Sequence, residues 1–120
     1  MKISVRQVVE IPFNLPNGVE NHPAIIISTN NALEEESHEF FVAVMTTHNT
    51  IDDDFTFELN ASMFVGNKVP SSNQVRLHLV SSFTTEDIIT NNYPNVFMKE
   101  EYFKRMMKQI IEKTFGFNIK

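Results

Sequence analysis

Four histidines, His22, His38, His48 and His78, carry the only side chains here whose ordinary ionisation falls near neutral pH. An unperturbed imidazole titrates near pH ~6.5, so it can take a proton in one step and return one in the next. His78 has a useful neighbour. Arg76 lies two residues before it in Val75-Arg76-Leu77-His78-Leu79-Val80. If that run is a strand, Arg76 and His78 leave the same face. Arginine presents a planar fork of donors suited to a phosphate, and an imidazole beside it can move a proton. The pair could serve proton transfer beside a bound anion.

Other chemistries are poorly supplied. The chain has no Cys, which excludes disulfides, cysteine-ligated zinc and thiol nucleophiles. It has three Gly, no glycine-rich phosphate loop and no Gly-x-Ser-x-Gly elbow. His22, His48 and His78 with Asp52 make a conceivable metal set, but no two histidines have the i, i+4 spacing of a metal motif. No metal and no other cofactor is expected.

The elements that must hold these residues are mostly strands. Val5 to Phe13 reads as a first strand and Asn14 to Gly18 as a turn. His22 to Ser28 reads as a second, with Pro23 suited to a strand start because it lacks an N–H. Thr29 to Glu39 is a polar loop with room for one helical turn, and Phe40 to Thr47 is a third strand. Phe55 to Leu59 alternates apolar and polar, and so does Val75 to Val80. In the latter, Val75, Leu77 and Leu79 share one face, and Arg76, His78 and Val80 the other. Tyr102, Phe103, Met106, Met107, Ile110 and Ile111 recur at steps of three and four, which predicts an amphipathic helix over about 98–115. Gly116 is placed to end it. At 120 residues, 42% hydrophobic with 11 Phe, one domain spanning 1–120 is expected. Strands precede one long helix rather than alternating with helices, so the fold class is mainly β with a C-terminal α-helix, a small antiparallel barrel.

Three segments resemble the MazF/PemK family, the Kid-like toxins of type II toxin–antitoxin modules. They are the Asn-Gly loop followed by His22-Pro23-Ala24-Ile25-Ile26-Ile27-Ser28, the strand Phe41-Val42-Ala43-Val44-Met45-Thr46, and Val75-Arg76-Leu77-His78 followed by Ser82-Phe83-Thr84. Their order spans nearly the whole chain. The family's Arg before Pro is His22 here, its acidic residue after the strand arginine is His78, and its downstream basic position is Ser81.

The resemblance implies an SH3-like barrel and a metal-independent endoribonuclease acting on single-stranded RNA. In that reaction the ribose 2′-hydroxyl attacks the adjacent phosphorus. A base takes its proton, an acid protonates the leaving 5′-oxygen and a cation steadies the phosphate. His22, His78, Arg76 and Thr46 are the implied catalytic set, with the Thr46 hydroxyl donating to a non-bridging oxygen. A homodimer and a small antitoxin-like protein partner are implied as well. The alternative is a toxin-fold protein without catalysis that binds a protein partner.

Each residue also has a structural reading. His22 could cap a strand start, and His78 could be a half-buried packing residue. Arg76 could pair with Glu58 or with an Asp of Asp52-Asp53-Asp54. Thr46 and Thr47 could serve β-propensity alone. His38 and His48 read as solvated loop residues, and the Glu34–Glu36 run as a solvated loop.

The net charge is −5. Residues 1–98 hold −8 of it and residues 99–120 hold +3. The acidic part is the barrel, where RNA would bind, although phosphate contact normally supplies much of the affinity. A partner peptide less acidic than usual is expected on such a surface. No apolar run approaches the ~20 residues of a membrane helix, so a cytoplasmic protein is expected.

Overall fold

The computed structural model describes residues 2–89 and 92–118. β1 (Val8–Leu15) and β2 (Gly18–Ile26) form an antiparallel hairpin, in register from Val8 opposite Ile25 to Leu15 opposite Gly18. Only Pro16 and Asn17 separate the strands, and Gly18 takes φ +121°, which a side chain resists. The predicted turn is thus tighter, and both strands reach further into it than their residue pattern suggested.

Pro23 lies in mid-strand opposite Glu10, not at a strand start. Parity explains the tolerance. Ile26 N donates to Gln7 O and Ile26 O accepts from Arg6 N, so even-numbered β2 residues aim their backbone groups at β1. Pro23 aims the other way, toward β3, just beyond the first β2–β3 pair at Ala24–Met45. Its missing N–H therefore costs no ladder bond.

The loop after β2 carries α1 (Asn30–Glu35), capped by Thr29, whose hydroxyl accepts from Ala32 N at 3.2 Å. The Glu34–Glu36 run thus sits on a short helix and its C-cap rather than in a loop, with all three residues exposed. β3 (Phe40–Thr47) pairs with β2 on one side and with β6 (Gln74–Thr84) on the other, and β4 (Thr56–Glu58) pairs with β6. The sheet order is β1-β2-β3-β6-β4. β5 (Phe64–Val65) and β7 (Phe97–Met98) make a separate ribbon.

The mainly antiparallel fold with a C-terminal helix is present, but the sheet does not close into a barrel. β4 has three residues and pairs only with β6. The ribbon takes the place of closure: Val8 N donates to Val96 O and Met98 N to Arg6 O, both at 2.9 Å.

The β3–β6 ladder changes register between Val44 opposite Val80 and Thr46 opposite Val75. β6 uses the four residues Arg76 to Leu79 where β3 uses Met45 alone. An odd number of extra residues reverses which face follows. Val75, Leu77 and Val80 therefore pack in one core cluster, and Leu79 joins Phe83 against the other. The simple alternation expected for this strand is corrected at Leu79 and Val80.

α2 (Glu100–Gln109) continues into one π-turn, Ile110–Thr114, and ends at Gly116 with φ +75°. Met106 and Ile110 are fully buried against Val75 and Leu77, and the Thr114 hydroxyl donates to Leu77 O at 2.5 Å. The helix thus braces the irregular stretch of β6 from behind. Among the described residues no helix is long and apolar enough to cross a membrane.

Leu77 is fully buried at that brace. Leu77→Ala is expected to lower unfolding free energy by about 2–5 kcal/mol, read from the urea midpoint at unchanged slope.

Candidate active site

A cleft of about 390 Å³ opens between the β1–β2 hairpin and the irregular stretch of β6. Its lining includes His22, Arg76 and His78, together with Glu20, Met45 and Thr47. Three of the four residues predicted for catalysis thus meet in one cavity. A second groove of about 580 Å³, walled by Phe13, Val19, Ser81 and Phe83, shares His78 and Leu79 with it.

His22 reaches the cleft from β2. Its side chain is 13% exposed, packs edge-on against Phe13 with ring centroids 6.1 Å apart, and its Nε2 lies 3.3 Å from Glu20 Oε2. Glu20 and His22 are two apart on β2, so both leave the same face. Sequence reasoning passed over Glu20; the signal available was this i, i+2 spacing.

His78 is solvent-exposed on one side and lies on the Phe55 ring on the other, with centroids 4.7 Å apart. Partial burial pushes its pKa below the ordinary ~6.5, and the Arg76 charge pushes it the same way, with Asp53 opposing. His78 is accordingly neutral at pH 7, with a lone pair free to accept a proton.

Arg76 is 6% exposed, yet it lines the cleft. Its Nη1 donates to Asp53 Oδ1 at 3.0 Å and its Nη2 to Asp53 Oδ2 at 2.7 Å. Nη1 also donates to Thr56 Oγ1 at 3.0 Å, because Thr56 is the cross-strand partner of Arg76. The hydrogen-bonded Arg76 guanidinium holds the Asp53 carboxyl well below the usual carboxylate range. The ion-pair reading of Arg76 is thus what its surroundings display, with Asp53 as the partner.

Thr46 does not line the cleft. It stands opposite Val75 on the core face and is 1% exposed. Its hydroxyl donates to Pro23 O at 2.6 Å. That uses its one proton, so the 2.7 Å contact with Ser72 Oγ has Ser72 as donor. The adjacent Thr47, opposite Gln74 and so on the face of Arg76, is the threonine that lines the cleft. Expecting Thr46 there was off by one residue, and in a strand one residue is one face.

The other two histidines lie elsewhere. His48 has Nδ1 3.5 Å from Ser71 Oγ, and its carbonyl accepts from Asn73 Nδ2. His38, read from the sequence as solvated, is half-buried and accepts the Ile3 amide at 3.3 Å. Among the described residues no three His, Asp or Glu side chains gather in a group able to hold a metal ion.

Two outcomes follow from this geometry. Thr46→Val strands the Pro23 carbonyl and the Ser72 hydroxyl and is expected to cost about 1–3 kcal/mol in chemical unfolding. The Asp53 pKa is depressed in the folded chain, so its stabilisation is present above the unfolded value of about 3.9 and is lost as pH falls through the folded one. The stability advantage of the natural chain over Asp53→Asn should therefore be constant near neutrality and shrink below about pH 4; an advantage that persists undiminished to pH 2 would contradict it.

No protein-family profile and no curated protein matches the sequence. Solved structures do. An endoribonuclease in complex with its cognate antitoxin, from a mycobacterial species, superposes with TM-score 0.68 at 14% identity, covering 99% of this chain and 100% of that one. An endoribonuclease from a mycobacterial species gives 0.68 at 12% identity, covering 100% and 98%. A chain of the MazE-MazF complex from Deinococcus radiodurans gives 0.66 at 14% identity, covering 98% and 99%. Over its whole length, this chain has the fold of the MazF-type endoribonuclease toxins.

Proposed function

We propose that the protein is a MazF-like endoribonuclease that cleaves single-stranded RNA without a metal. The observation that carries this reading is the one cleft lined by His22, Arg76 and His78. His78, neutral at pH 7, takes the proton of the ribose 2′-hydroxyl as its oxygen attacks phosphorus. The bond from phosphorus to the 5′-oxygen breaks, and His22 delivers a proton to that oxygen. Products are a 2′,3′-cyclic phosphate and a 5′-hydroxyl. Arg76 supplies N–H donors to the charge that builds on the non-bridging oxygens. We assign the hydroxyl donor to Thr47, since the Thr46 proton is engaged with Pro23.

The antitoxin named with one structural neighbour supports a small protein partner for this chain. Phe115 and Phe117, 56% and 68% exposed beyond the C-terminal helix, support a homodimer that covers them.

A second reading is a toxin-fold protein that binds its partner without catalysis. The occupied guanidinium fork of Arg76 and the net charge of −5 favour it.

Purified protein with EDTA and a long mixed-sequence RNA separates the two. Cleavage to cyclic-phosphate ends is expected, reduced about 10²–10⁴-fold in His78→Ala and in Arg76→Ala. Rate should rise with pH through the lowered His78 pKa, so the acid limb lies below about pH 6.5 and disappears in His78→Ala. An intact RNA, with a stable small-protein complex indifferent to His78→Ala, would select the second reading.

A further inference from the structure

Asp53 and Thr56 hold the Arg76 guanidinium, yet neither lines the cleft that Arg76 lines. The acid therefore grips the arginine from outside and does not stand between it and a ligand. Its loop is itself fixed. Asp53 Oδ1 accepts from Phe55 N at 2.9 Å, and the Thr56 hydroxyl donates to Ile51 O at 2.8 Å. Gln74 Nε2 donates to the same carbonyl at 3.1 Å, which ties the loop back to β6 two residues before Arg76. Ile51, at the start of this loop, lines the cleft.

We propose that Asp53, seconded by Thr56, is a positioning residue that fixes the guanidinium so that its remaining N–H donors face the cleft. The inference rests on the phosphate-contact role given to Arg76 above. A free arginine side chain samples many rotamers, and ordering it when a ligand binds lowers affinity. Here the order is installed beforehand by a bidentate pair and one cross-strand hydroxyl. The pair also cancels the Arg76 charge, so this site offers oriented donors and little net attraction for a phosphate.

The readouts are RNA cleavage and the NMR signal of the Arg76 side-chain Nε–H during titration with inorganic phosphate. In the natural chain that signal is expected to be sharp and to move with phosphate. Asp53→Asn should broaden it, weaken the phosphate response and lower kcat by about 10–100-fold with a smaller change in KM. Thr56→Val should show the same pattern more weakly, and Asp53→Glu should recover part of the loss. Thermal unfolding of each variant reports the folded fraction to which the rates are normalised.

Two results would overturn the proposal. One is folded Asp53→Asn that cleaves, and answers phosphate, like the natural chain, which would make the pair a structural cross-link only. The other is Asp53→Asn that binds phosphate more tightly, which would make Asp53 a competitor for the fork. A natural chain inert toward RNA would remove the nuclease reading alone. The phosphate titration would still decide the role of Asp53, through the presence or absence of the difference between the two chains.

Discussion

The organisation of the molecule turns on one irregularity, the place where β6 passes four residues against Met45 of β3. A regular ladder would send Arg76 and His78 to one face and leave nothing else changed. The odd register shift does more. It lets Leu77 lock into the core under the helix while Leu79 joins the second core cluster. This stretch supplies Arg76, His78 and Leu79 to the lining of the cleft, where Met45 is 5% exposed. The helix completes the device through Met106, Ile110 and the Thr114 hydroxyl on Leu77 O. A strand distorted this way leaves backbone groups without regular partners, and the brace takes one of them.

Charge is handled locally. The chain is acidic, and two of its carboxylates touch the cleft's own basic groups: Asp53 on Arg76 and Glu20 on His22. A surface of this kind gains little from the counterion release that drives ordinary nucleic-acid binding. What it retains is direction, because a guanidinium fixed by a bidentate partner has its donors already aimed. For the nuclease proposed above, the net negative charge would weigh on affinity and encounter rate more than on a step inside the cleft.

The likeness to solved endoribonucleases at 12–14% identity shows how little of a sequence a fold requires. What persists is the order of short apolar strands and one amphipathic helix, which many residue choices satisfy. What a site needs is narrower, and a fold by itself does not fix it. The cleft here holds imidazoles at positions 22 and 78, where the resembled family carries an arginine and an acid.

Local pattern established the strands around β3 and β6 and the C-terminal helix, because a short β-branched apolar run, or apolar residues at steps of two or of three and four, has few other places to go. The spacing of Arg76 and His78 put them on one face for the same local reason, and both line the cleft. The family resemblance added His22. Register was beyond that reach. Thr46 and Thr47 are equivalent in sequence, and only pairing with Val75 and Gln74 sends one to the core and the other to the cleft. Choosing Asp53 from three consecutive aspartates needed the turn that Phe55 N and Ile51 O fix. The two-residue strands β5 and β7 are too short to carry a period, and they replace barrel closure. The sequence determined the longer strands and the C-terminal helix, since those are set by neighbours along the chain. Tertiary structure decided which faces meet, since a strand's two faces differ by a single residue of register, fixed only when its partner is in place.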